Sequence, residues 1–140
     1  MPHSNVLGLD VGTVRVGVAL ATGGVSVARP LTTLEHQSDE FWHEFDEICA
    51  EHDITHVVIG LPRGLEGQET DQTALTRAFG EELVLHSPTL SVSWQDEALT
   101  SVKAEETLQQ SKKPYTKGEI DALAASYILA DYLAEQERHV

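Results

Sequence analysis

Short apolar runs at Val6 to Val11, Val14 to Ala21 and Val25 to Leu31 open the chain, separated by Gly12-Thr13 and Gly23-Gly24. Runs of this length and spacing predict an antiparallel three-strand meander with tight turns. From Ser38 the period changes: Phe41, Trp42, Phe45, Ile48, Cys49 and His52 fall at helical spacing behind a serine cap, which predicts an amphipathic helix. Thr55 to Leu61 then reads as a short buried strand ending at Pro62. A glycine-containing loop, a helix over Asp71 to Leu85 and a second buried strand over Leu90 to Gln95 follow.

Two more helices are predicted, over Thr100 to Gln110 and Lys117 to Glu137. The last opens with a capping box formed by Thr116 and Glu119, and its apolar stripe is Ile120, Leu123, Ala124, Tyr127, Ile128 and Leu133. A meander followed by alternating helices and strands implies an α/β fold. Its five-stranded mixed sheet would hold three antiparallel and two parallel strands, with the crossover helices covering both faces. Nothing in the pattern divides the chain, so residues 1–140 are expected to form one domain; a domain of 140 residues buries roughly two thirds of its unfolded surface.

Within this pattern Asp10 stands out, because a carboxylate inside an apolar strand costs several kcal/mol, on the order of a lost buried hydrogen bond or more, unless a cation meets it. Ligands of open α/β sheets collect outside the carboxyl ends of the strands. Asp10 lies near one such end, Asp96 and Glu97 just past another, and Asp121 in the second turn of the final helix. If the first and last strands are neighbours and the final helix crosses them, Asp10, Glu97 and Asp121 converge. Two carboxylates about 4 Å apart repel by about 4 kcal/mol at an effective dielectric near 20, so such a trio needs raised pKa values or bound cations. Oxygen ligands without a Cys or His cluster suit Mg²⁺ or Mn²⁺, and such ions can activate water against a phosphodiester without a nucleophilic side chain.

Other candidates carry two meanings each. Arg15 can contact a phosphate or a neighbouring carboxylate. Arg63, in the loop Gly60-Leu61-Pro62-Arg63-Gly64 through Gly67, can pair with phosphate or belong only to a turn. Lys117, one helical turn before Asp121, can be an ordinary ion pair or a charge aimed at the scissile phosphate. His52 and His56 have metal-ligand spacing, but Ile54 and Thr55 between them mark an exit from helix to strand.

Charge works against a polyanionic substrate: the formal net charge is −14. Its distribution softens the objection. Glu35, Asp39, Glu40, Glu44, Asp46, Glu47, Glu51 and Asp53 form an acidic block without Lys or Arg, read as a solvated helix face, whereas four of the nine basic residues lie from Lys103 to Lys117. The single Cys49 and the lack of a leader or membrane-length apolar run predict a reducing, cytoplasmic setting and no membrane partner.

Taken together, Gly8-Leu9-Asp10-Val11-Gly12-Thr13-Val14-Arg15-Val16-Gly17-Val18-Ala19, Gly60-Leu61-Pro62 with Gly67, Asp96-Glu97 with Leu99-Thr100-Ser101, and Lys117 with Asp121-Ala122 resemble the YqgF-type family. That family includes proteins described as Holliday junction resolvases and as the pre-16S ribosomal RNA nuclease, and the resemblance spans nearly the whole chain. It implies a ribonuclease H-like fold and a nuclease using Mg²⁺ or Mn²⁺. Asp10, Glu97 and Asp121 would be the acidic catalytic and metal-binding residues, and Arg15 and Lys117 match basic positions of the pattern; together with Arg63 of the glycine-containing loop they are the candidate nucleic-acid-binding residues. Ala98 stands where the family usually has Arg, and the loop after Pro62 lacks the family's Asn.

The leading expectation is 5′ processing of pre-16S ribosomal RNA by hydrolysis, with structured RNA and ribosomal precursor particles as partners. A resolvase acting on branched DNA is the alternative, as a monomer or a homodimer. A non-catalytic nucleic-acid-binding assembly module is the third reading. The run Asp10-Val11-Gly12-Thr13 also resembles the first phosphate loop of actin-like ATPases, but those need two such domains and 140 residues supply one.

Overall fold

The computed structural model describes residues 5–23, 27–97, 106–110 and 116–138. Five strands, β1 (Asn5–Val11), β2 (Arg15–Ala21), β3 (Arg29–Glu35), β4 (Ile54–Pro62) and β5 (Ser91–Glu97), form one sheet of order β3-β2-β1-β4-β5. β1 pairs antiparallel with β2 and β2 with β3, while β4 runs parallel to both β1 and β5. The expected mixed sheet is therefore present. Helices α1 (Phe41–Glu51) and α2 (Asp71–His86) cover one face and α3 (Lys117–Arg138) the other.

Strand alternation sorts side chains between two unequal cores. Leu7, Leu9 and Val11, Val16, Val18 and Leu20, and Val57 and Ile59 face α1 and α2, where they meet Phe41, Phe45, Phe79 and Leu83. Phe41 and Trp42 stand edge to face, and Trp42 stacks on Phe79, so an aromatic cluster joins α1 to α2. The opposite face is thin. Ala19, Ala21 and Val58 meet Ala125, Ile128 and Leu129 of α3.

That thinness lets α3 lie close to the sheet. A Cβ at Gly17 would collide with the Asp121 carbonyl, one at Gly8 with Leu129 and one at Gly60 with Ile128. Glycine inside a strand is otherwise unfavourable, and here each absent side chain makes room for the helix.

Three expectations are corrected. The third strand runs from Arg29 to Glu35 instead of Val25 to Leu31, with residues 24–26 outside the described ones; it is an edge strand with only Leu34 buried, so its apolar signal is weak. Ser38 does not cap α1: the N-cap is Glu40, and the Ser38 hydroxyl accepts from the Glu40 N–H at 3.0 Å, one turn ahead of the helix. Asp96 and Glu97 lie within β5, which extends past Gln95. Of the helix expected over 100–110, residues 106–110 are described and helical; Ala98 and Leu99-Thr100-Ser101 lie outside the described residues.

The Thr116 hydroxyl accepts from the Glu119 N–H at 3.1 Å, the cap expected for α3. Acidic side chains Glu44, Asp46, Glu47 and Glu51 point to solvent while Phe41 and Phe45 are buried, as the solvated-face reading requires. Cys49 packs against the larger core, and burial together with the charge of Asp46 pushes its thiol up to about 11, so it is no thiolate nucleophile. No helix among the described residues is long and apolar enough to cross a membrane.

Candidate active site

Asp10 occupies the last turn of alternation in β1 and shares its face with Gly8, the face covered by α3. Directly across the antiparallel pair stands Gly17. Because Gly17 has no side chain, the Asp121 main chain settles on β2 at that point, next to Asp10. The two acids are thus neighbours. Burial, and after it the charge of Asp121, pushes the Asp10 carboxyl up to about 6.

Arg15 completes this corner. It lies on β2 two residues before Gly17, on the same face, and its Nε donates to Asp121 Oδ2 at 2.6 Å. Both side chains are half-buried, at 29% and 22% exposure, so the pair is shielded more than a surface ion pair. Of the two meanings left open for Arg15, the structure displays the carboxylate contact. Asp121 takes its ion pair from β2, not from Lys117, which is exposed at the start of α3.

Glu97 does not join them as expected. That expectation required the first and last strands to be neighbours, but β4 lies between β1 and β5. Leu9 pairs with Ile59, Gly60 with Gln95 and Pro62 with Glu97, so Glu97 stands across β4 from Asp10 and farther along the strand direction. It is half-buried, with Oε1 shielded from solvent, and lies on the α3 face like Gln95, whose amide donates to Glu135 at 3.2 Å. Among the described residues no three His, Cys, Asp or Glu side chains are close enough to hold one ion.

The donor set still suits a hard divalent cation. Asp10 and Asp121 offer only oxygen, their mutual repulsion is the kind a cation relieves, and Mg²⁺ is commonly held by one or two carboxylates with water and substrate phosphate supplying the rest.

Arg63 leaves β4 into the following loop. Its Nε lies 3.3 Å from Asp96 Oδ1 and its Nη1 3.7 Å from Glu69, and its N–H donates to the Glu97 carbonyl at 3.3 Å. A shallow cavity of about 320 Å³ separates this loop from β5, lined by Arg63, Gly64, Leu65, Gly67, Asp96 and Glu97. His52 caps the end of α1 and His56 lies in β4 against Tyr132, so they share no ligand site.

Several positioning groups escaped the sequence reading. The His36 Nδ1–H donates to the Gly12 carbonyl at 2.5 Å, and Gln72 Nε2 donates to the Val11 carbonyl at 2.8 Å. Together they pin the turn that follows Asp10. Only Gly17 left a visible signal, a glycine in a strand interior.

This sheet order, with its acids at the β1 and α3 junction, defines a ribonuclease H-like fold of the resolvase type. A RuvC from T. thermophilus in complex with a Holliday junction substrate shares it at TM-score 0.57 and 16% identity, covering 97% of each chain. The yeast mitochondrial Holliday junction resolvase Ydc2 does so at TM-score 0.52 and 10% identity, over 99% of this chain and 82% of that one. In sequence, residues 4–135 match the family described as "RuvX: Holliday junction resolvase". A protein of Sulfurihydrogenibium sp. (strain YO3AOP1) named "Putative pre-16S rRNA nuclease" is 38% identical over 131 residues, 93% of this chain and 90% of that one. One of the same name from Chloroflexus aggregans (strain MD-66 / DSM 9485) is 39% identical over 138 residues, 95% of each chain. The chain belongs to this RuvX (YqgF) family, and so to the nucleases that hydrolyse phosphodiester bonds.

Proposed function

We propose that this chain is a divalent-metal-dependent nuclease whose substrate is the 5′ side of pre-16S ribosomal RNA. The observation that carries the proposal is the meeting of Asp10 and Asp121, remote in sequence, over Gly17 near the carboxyl end of β1. The names of the relatives support the choice of RNA.

In this reading Asp10 and Asp121 hold Mg²⁺ or Mn²⁺, with Glu97 at the same end of the sheet on β5. When bound, the ion supplies Lewis acidity that activates water and stabilises the leaving oxygen. The protein does the placing. Gly17 fixes the main chain of Asp121, Arg15 fixes its carboxylate, and His36 and Gln72 hold the turn after Asp10. With its carboxyl near 6, Asp10 is mostly ionised at pH 7 and gains further charge when a cation approaches. Arg63 and Lys117 flank this end of the sheet as groups for substrate phosphates.

Resolution of branched DNA is the second reading, favoured by the family description and by the shared fold of the RuvC bound to a Holliday junction. Purified protein with Mg²⁺ or Mn²⁺ is offered precursor RNA and four-way DNA side by side, wild type against Asp10→Asn. Preferred cleavage of the RNA by wild type, lost in the variant, supports the proposal; preferred cleavage of the DNA transfers it to the second reading. Cleavage that survives Asp10→Asn removes the site, and folded protein that binds RNA without cutting it identifies a non-catalytic assembly module.

A further inference from the structure

Asp121 lies between two opposed demands. Its main chain rests on Gly17, which faces Asp10, and its side chain reaches along β2 to Arg15, where Nε meets Oδ2 at 2.6 Å. A divalent ion drawn to Asp10 and Asp121 would therefore arrive beside a guanidinium already bonded to one of its ligands. Like charges repel at that range, and the bond to Arg15 draws on the same carboxylate that the ion requires.

We infer that Arg15 is the built-in counter-ion of the site: it holds Asp121 beside Asp10 in the ion-free protein and competes with the divalent ion for that carboxylate. The ion concentration at which the site fills is then set by Arg15 as well as by the acids. Arg15 acts through Asp121 and is a positioning residue. This assignment takes the carboxylate contact rather than the phosphate contact that the sequence leaves open beside it, and it rests on the ion-site reading above.

Two features of the pair favour this role over that of a structural brace. Arg15 begins β2 at the strand's exposed end, where the side chain keeps 29% exposure and has room to move, whereas the helix itself is seated by Gly17, Gly8 and Gly60 without help from Arg15. Moreover, the bond is a single contact through Nε to one oxygen, weaker in geometry than a two-bond fork. A single charge-assisted bond is strong enough to orient a carboxylate and weak enough to yield it.

The test is calorimetric titration of Mn²⁺ into nucleic-acid-free protein, comparing wild type, Arg15→Gln, Arg15→Lys and Asp121→Asn, with folding of each checked by circular dichroism in chelator. Arg15→Gln is expected to bind Mn²⁺ about ten-fold more tightly than wild type, since a charge-assisted bond no longer competes. Arg15→Lys, which keeps the charge, is expected to stay within about two-fold of wild type. A brace predicts the reverse, because Asp121 would lose its orientation. Equal or weaker binding by Arg15→Gln, beside lost binding in Asp121→Asn, overturns the role of Arg15 alone. Tighter binding by Arg15→Lys also overturns it, and that variant decides the matter if Arg15→Gln fails to fold. If neither wild type nor Arg15→Gln binds Mn²⁺ saturably, the ion-site reading itself falls.

Discussion

Gly17 stands directly opposite Asp10 in the β1–β2 pair, and the Asp121 carbonyl fills the space its side chain would take. The approach of two acids thus depends on a residue that carries no functional group. A helix can come no nearer a strand than the intervening side chains allow, and removing one of them brings backbone against backbone.

Gly17→Ala is accordingly expected to cost about 2 kcal/mol, as overpacking of a tight contact does, and to abolish most nuclease activity by displacing Asp121. Gly67→Ala is the control. Gly67 has φ +84° and open space around its Cβ position, so the cost there is backbone strain alone, about 1 kcal/mol. Urea unfolding compares the two, and equal losses would argue against the close seat at Gly17.

Asp10→Asn should stabilise the protein in chelator at pH 7. The Asp10 carboxyl is raised from 3.8 to about 6 in the folded protein, so between those values the native state holds a proton that the unfolded state has released. Stability contributed by the protonated form is therefore full below about pH 4 and is lost as pH rises through about 6. The asparagine variant escapes that loss and should gain on the order of 2 kcal/mol at neutral pH. Melting curves from pH 4 to 8 read the difference, which should vanish at the acid end.

Thr73 is fully buried; its hydroxyl donates to the Pro62 carbonyl at 2.5 Å and accepts from the Thr70 N–H at 2.9 Å, half of the capping box of α2. Thr73→Val keeps the shape and orphans both groups, for an expected loss of about 1–2 kcal/mol in denaturant unfolding. Mn²⁺ affinity should not change.

Arg63 distinguishes a loop brace from a substrate contact. Its partners Asp96 and Glu69 are exposed, so Arg63→Ala should change stability by less than about 0.5 kcal/mol. As a phosphate contact it should instead raise KM several-fold at constant kcat and lower the salt dependence of binding by about one phosphate. Binding isotherms at several salt concentrations, with steady-state kinetics, check both parts.

Sequence patterning exposed one half of the site and hid the other for a physical reason. Asp10 was legible because a carboxylate in an apolar strand is anomalous, and Asp121 because it adjoins a helical apolar stripe. The face of α3 that meets the sheet nevertheless includes Ala122, Ala125 and Leu129, none of which lies on the stripe expected from periodicity, because the strand glycines set which turn of the helix can approach. Periodicity within the helix carries no record of where those glycines lie. The place of Glu97 was illegible because it depends on strand order, and no local pattern announces that β4 inserts between β1 and β5. The third strand was misplaced for a simpler reason, since an edge with little burial leaves its alternation faint.

Gly8, Gly17 and Gly60 act on α3 as notches act on a key. A side chain at any of the three would meet the helix within 3 Å, so its seat on the sheet is set at three places. The approach of the two aspartates is consequently gauged at Gly17 by a main-chain contact, and inherits the stiffness of the sheet itself.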